Sequence, residues 1–174
     1  MRDDVAQLIT HFGLTPLPSE GTLFVSTYRS GDELPSGGPV GTAMIGMYCN
    51  DPVSHSHFHR LLVDEVWHFY AGDPLRLILL FPDGTSCDVV MGSDPLRGHR
   101  VQFVVPAGVW QAGLLVTGGR YALFGCTMAP GFTGSMYDGG TRDDLLTRFP
   151  DRAEDIQRLG GELPDSRMPQ GFAT

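Results

Sequence analysis

Apolar positions fall into two regimes along the chain, helical at the ends and strand-like between them. Near the start, Val5, Leu8, Ile9 and Phe12 recur at helical spacing, and Asp3 and Asp4 sit where an N-terminal dipole favours negative charge. This predicts a short amphipathic helix over 3–13. From about 21 to 128 the pattern changes to short runs rich in Val, Leu, Phe and Tyr, at 21–29, 41–49, 64–71, 75–81, 86–91, 100–105, 109–116 and 120–128. Gly72-Asp73-Pro74, Pro82-Asp83-Gly84 and Thr117-Gly118-Gly119 punctuate them as turns. That many short strands argue for an all-β sandwich or barrel. Helical periodicity returns at 141–159, where Thr141 and Asp144 form a candidate capping box ahead of Leu145, Leu146 and Phe149, and Ile156 and Leu159 share a face. Both helices are expected on the outside of the β core. Residues 30–38 read as a mobile loop, and the polar tail 160–174, with Pro164 and Pro169, as partly disordered.

Composition narrows the function classes. The 174 residues suit a single domain, and the formal charge is −8 with no basic cluster able to track a phosphate backbone, so nucleic acid is not an expected partner. All 12 basic residues are arginine. Without lysine there is no internal Schiff base and no Walker-type P-loop. Cys49, Cys87 and Cys126 are widely spaced and lack a CxxC pattern, which fits reduced thiols. No stretch approaches the roughly 20 apolar residues that span a bilayer. The expectation is a soluble cytoplasmic protein with no membrane partner.

Chemistry concentrates in HSHFHRLLVDEVWHFYAG, which carries His55, His57, His59, Glu65 and His68. Alternate strand residues share a face, so His57 and His59 are expected to look into one space, joined by Glu65 if its strand lines the same space. Imidazole and carboxylate serve both as metal ligands and as acid–base groups.

The segments DEVWHFYAGDPLRL (64–77), VVPAGVWQA (104–112) and GCTMAPGF (125–132), with TYRS (27–30) and GTAMI (41–45) upstream, resemble the cupin superfamily, and within it the Cupin_5 or DUF985 group. The resemblance implies a double-stranded β-helix, or jelly roll, with two antiparallel sheets around a pocket, usually in a homodimer. The superfamily spans epimerases, isomerases, lyases, decarboxylases, dioxygenases and plain binders, so the fold does not choose the reaction.

A metal-binding cupin offers HxH, a glutamate three or four residues later, and a third histidine after the PxG turn. Here five residues separate His59 from Glu65, and Gln111 stands in the third histidine's slot. Two registers are open: a bulge that still brings His57, His59 and Glu65 together, or His59 in the first ligand slot with Leu61 in the second, which breaks the metal site. The family's usual run before His59 resembles FSAxH, and His57 stands at its alanine.

The preferred reading is acid–base isomerase, epimerase, lyase or cyclase chemistry on a small polar metabolite of the kind met in secondary metabolism, requiring no cofactor. His57 or His59 is the base, assisted by Glu65. Gln111 orients substrate, Trp67 and Phe69 wall the pocket, and Tyr28 stands at its mouth. The alternatives are a metal-dependent oxygenase or lyase using His57, His59, Glu65 and Gln111 around iron, zinc or nickel, and a non-catalytic ligand binder. Val66, His68 and Tyr70 are expected on the opposite face, Trp110 against a partner strand or subunit, and Arg60 in an ion pair with Asp64 as a candidate.

Overall fold

A computed structural model describes residues 4–161 and 167–173. The strands follow in chain order as β1 (Thr15–Pro16), β2 (Leu23–Arg29), β3 (Thr42–Asn50), β4 (Val53–Ser54), β5 (Ser56–Leu61) and β6 (Glu65–Gly72). They continue as β7 (Leu75–Leu80), β8 (Ser86–Met91), β9 (Gln102–Val105), β10 (Trp110–Leu115), β11 (Tyr121–Met128) and β12 (Tyr137–Gly139). Helix α1 (Asp4–Phe12) precedes them, and α2 (Arg142–Arg148) and α3 (Ala153–Leu159) follow.

The strands form two antiparallel sheets. One runs β1-β2-β3-β11-β6-β9, with β4 on β3, and the other runs β12-β5-β10-β7-β8. This is the expected jelly roll. Between the sheets, Tyr48, Leu75, Leu77, Met91 and Phe124 form a solid core at one end. The other end stays open as a cavity.

The helices cover outer faces. α1 lays Val5 on Leu23, Met47 and Leu123 of the larger sheet, while Leu145, Ile156 and Leu159 of α2 and α3 meet Phe58, Ile78 and Trp110 on the back of the smaller one. Trp110 therefore packs beneath the chain's own helices, with the Arg60 guanidinium 4.6 Å from its ring centroid. Thr141 caps α2 by accepting from the Asp144 N–H at 3.4 Å. A bidentate pair of 2.9 Å bonds from Arg76 to Asp155 ties α3 to the sheet.

One expectation, the ion pair of Arg60 with Asp64, needs correction here. Arg60 pairs with Asp138 at 2.7 Å rather than with Asp64, whose carboxylate accepts from the Ala107 N–H. The loop over 30–38 is tied to itself by backbone bonds such as Val40 to Asp32 at 3.0 Å and Leu34 to Gly38 at 2.9 Å. Within the tail, 167–173 is packed: Met168 is buried beside Leu17, Leu61 and Tyr137, and the Ser19 hydroxyl donates to the Arg167 carbonyl. Residues 162–166 and 174 of that tail lie outside the described residues. No described helix is long and apolar enough to cross a membrane.

Candidate functional site

Strand β5 decides which histidine enters the interior. Opposite β10, His59 pairs with Gln111 but Ser56 pairs with Gly113, so β5 holds one more residue than its partner across this step. Such a bulge reverses the inside–outside alternation. Ser56 points in and accepts from the Tyr48 hydroxyl at 2.8 Å, Phe58 points out to the helices, and His59 points in. His57, on the bulge, points away. Its N–H donates to the Glu20 carbonyl, and its ring faces the Ser19 carbonyl and the edge of His55. The expectation that His57 and His59 share a space is thus corrected.

The cavity holds about 340 Å³. Its buried end is formed by Glu20, His59, Glu65, Trp67 and Cys126. Leu17, Phe24, Met44, Leu61 and Met128 make apolar walls. Toward solvent stand Ser26, Arg29, Thr42 and Phe132, and Phe172 and Ala173 of the C-terminal segment close over them.

Glu20 went unseen in the sequence reading. It comes from a tight loop in which Gly21 donates to the Leu17 carbonyl, Leu17 donates to the Thr22 carbonyl, and Ser19 takes a left-handed φ of 62°. The loop turns Glu20 inward until it is 7% exposed, where one carboxylate oxygen accepts from the Thr22 hydroxyl. One signal existed: Glu20 is the sole Asp, Glu, Lys or Arg between residues 5 and 28.

His59 is held in one tautomer. Its Nδ1 lies 2.8 Å from the His57 carbonyl oxygen, which accepts only, so Nδ1 carries a proton and, in the neutral ring, Nε2 carries the lone pair. Nε2 lies 3.7 Å from Glu20 Oε2. Tyr137 stacks on the ring at 5.2 Å and fixes its plane.

Glu65 is held by two N–H donors on one oxygen. Oε2 accepts from Trp67 Nε1 at 2.9 Å and from Gln111 Nε2 at 2.8 Å, and Trp67 Nε1 also reaches Gln111 Oε1 at 3.0 Å. Burial pushes the Glu65 carboxyl above the usual carboxylate range, Glu20 adds to that push, and His59 with the two N–H donors opposes it. Cys126 faces the same space, and burial next to two carboxyl groups pushes its thiol well up, which suppresses the thiolate a nucleophile needs.

The remaining candidates scatter. Gln111 is fully buried and acts on Glu65 rather than lining the cavity. Phe69 joins the solid core beside Tyr48 and Phe124 and does not wall the cavity. Tyr28 is 56% exposed and off the cavity. Its strand β2 slips one place between Ser26 and Tyr28 against β3, so Arg29 takes the inward position that plain alternation assigns to Tyr28. His68 binds Thr127 and Gln102 on the other face of β6.

Residues proposed as metal donors do not converge. His57 is outside the cavity, Leu61 holds the inward position two residues after His59, and both amide atoms of Gln111 are engaged with Glu65 and Trp67. Among the described residues no three His, Cys, Asp or Glu side chains are placed to hold an ion. This donor set does not fit iron, zinc or nickel.

The family model described as Cupin superfamily (DUF985) matches residues 6–138. A hypothetical protein from Leishmania major superposes with a TM-score of 0.81 at 26% identity, covering 90% of this chain and 98% of that one. A protein from Shewanella oneidensis does so at 0.81 and 29% identity, covering 89% and 96%. Oxalate decarboxylase from Bacillus subtilis shares the fold at 14% identity with a TM-score of 0.52, covering 92% of this chain and 42% of that chain. No curated protein matches significantly.

Proposed function

Given that the chain belongs to the cupin superfamily (DUF985), we propose that it carries out acid–base chemistry on a small organic molecule held between its sheets, with His59 as the base. The observation that carries this reading is the bond from His59 Nδ1 to the His57 carbonyl, which leaves the Nε2 lone pair on the cavity side. A base of this kind takes a proton from a carbon next to a carbonyl, and the imidazolium so formed is stabilised by Glu20 at 3.7 Å.

Glu65 is the partner acid. Burial favours its protonated form, and its Oε1 takes neither of the N–H bonds that hold Oε2. A base and an acid lining one cavity take a proton from one position of a substrate and deliver one to another, which is the pattern of an isomerase, epimerase or lyase. Trp67 and Gln111 position the acid.

The test is deuterium exchange in D2O with a library of small carbonyl compounds, read by mass spectrometry. Wild type incorporates deuterium into a substrate, and His59→Asn lowers the rate by about 100-fold or more while keeping the fold. Tight binding without exchange in wild type moves the assignment to a ligand-binding protein.

A further inference from the structure

The chemistry of the cavity's buried end specifies the polar group it accepts. The two strong N–H donors nearest it, Trp67 Nε1 and Gln111 Nε2, are already spent on Glu65 Oε2. Beside the proton on Glu65, what is left unpaired is acceptor. His59 Nε2, on a side chain 3% exposed, receives no hydrogen bond from the described residues, and Glu20 Oε2 has only the 3.7 Å approach to that same atom. Acceptors that line a cavity without a donor favour a ligand that donates.

Charge sharpens the choice. Two carboxyl groups line the buried end, and among the described residues the one arginine on the cavity lies at its exposed edge, donating to the Phe132 carbonyl at 3.1 Å. An anion pushed past that edge meets the Glu20 carboxylate without a cation to balance it. An ammonium group meets acceptors of the right sign. Phe24, Trp67, Phe132 and Phe172 supply aromatic surface around it.

We propose that this cavity takes an apolar primary amine, its ammonium seated on Glu20 and its apolar body along Phe24, Phe132 and Phe172. The assignment rests on reading the cavity as the ligand site proposed above, and it names the class of ligand. It also sets this cavity apart from one built for a dicarboxylate.

Isothermal titration with 2-phenylethylamine, 2-phenylethanol and phenylacetate, at fixed ionic strength and neutral pH, tests it. The amine binds at least about ten-fold more tightly than the alcohol, and phenylacetate binds no better than the alcohol. Glu20→Gln erases the amine's lead over the alcohol, whereas Glu20→Asp keeps the lead in part. Alcohol or phenylacetate binding as tightly as the amine overturns the assignment, as does an amine preference that survives in Glu20→Gln, or no binding by any probe. If Glu20→Gln does not fold, the wild-type ranking decides alone. The acid–base role of His59 is judged separately by deuterium exchange, so the two readings fail independently.

Discussion

His59 and Glu20 face each other inside the jelly roll, Nε2 to Oε2 at 3.7 Å, although one sits in a bulged strand and the other in a loop before β2. The bulge and the loop are joined, because the His57 N–H donates to the Glu20 carbonyl at 2.9 Å. That backbone bond ties the strand of the base to the loop of its carboxylate. Glu20→Gln keeps an acceptor for the Thr22 hydroxyl and removes the charge beside the imidazolium. Turnover is expected to fall about 10- to 100-fold with a change in unfolding free energy below about 1 kcal/mol. Glu20→Leu instead strands the Thr22 hydroxyl and should cost about 1–3 kcal/mol by urea unfolding.

Glu65 predicts a pH signature. Its carboxyl is pushed up by burial, so the folded protein holds this proton at pH values where the unfolded chain has lost it. The contribution is fully present below the unfolded carboxylate pKa of about 4.3, and is lost as pH rises through the higher folded value. Glu65→Gln has no such proton to lose and can still accept from Trp67 and Gln111 through its carbonyl. Melting curves from about pH 4 to about pH 8 should show the variant gaining on wild type as pH rises. A constant difference across that range contradicts the assignment.

Which parts of this arrangement were legible beforehand depends on what breaks strand alternation. Strand-like runs, the α1 stripe of Val5, Leu8 and Phe12, and the Thr141 cap all follow from local periodicity, and the structure holds them near the expected bounds. Strand β5 shows in the sequence only as the carrier of His57 and His59. The short strands β1, β4 and β12 carry too few residues to show a period. Alternation placed Glu65 and Trp67 on the cavity, because β6 is regular against β9 from Glu65 to His68. It failed at His57 and Tyr28 for one reason, an extra residue in β5 and in β2, which hydropathy does not register. Glu20 escaped because a loop carboxylate has no face until the chain around it is folded.

The β5 bulge is itself testable through Gly113. Its N–H donates to the Ser56 hydroxyl at 2.7 Å, and a Cβ there would clash with the Tyr48 hydroxyl oxygen. Tyr48 is fully buried and cannot retreat without disturbing Phe124, 4.6 Å away by ring centroid. Gly113→Ala should destabilise by about 1–3 kcal/mol. Unfolding within about 0.3 kcal/mol of wild type would refute this packing.

Thiol reactivity should divide sharply. Cys87 is exposed, whereas burial lifts the Cys49 thiol to about 11 and pushes Cys126 well above its ordinary value. An aromatic disulfide reagent at neutral pH is expected to reach Cys87 in the folded protein, slowed because partial burial and Asp88 push its thiol up, and Cys49 and Cys126 only on unfolding. Fast reaction at Cys126 would mean that it is a poised nucleophile.

The most direct test of the account is the tautomer of His59, read by 15N–1H correlation spectra of histidine-labelled protein near neutral pH and assigned by loss of the signal in His59→Asn. The structure predicts an Nδ1 proton bonded to the His57 carbonyl, so that the lone pair of the neutral ring lies on Nε2 at the cavity side. A ring protonated at Nε2 and donating toward Glu20 would contradict the assignment of His59 as the base.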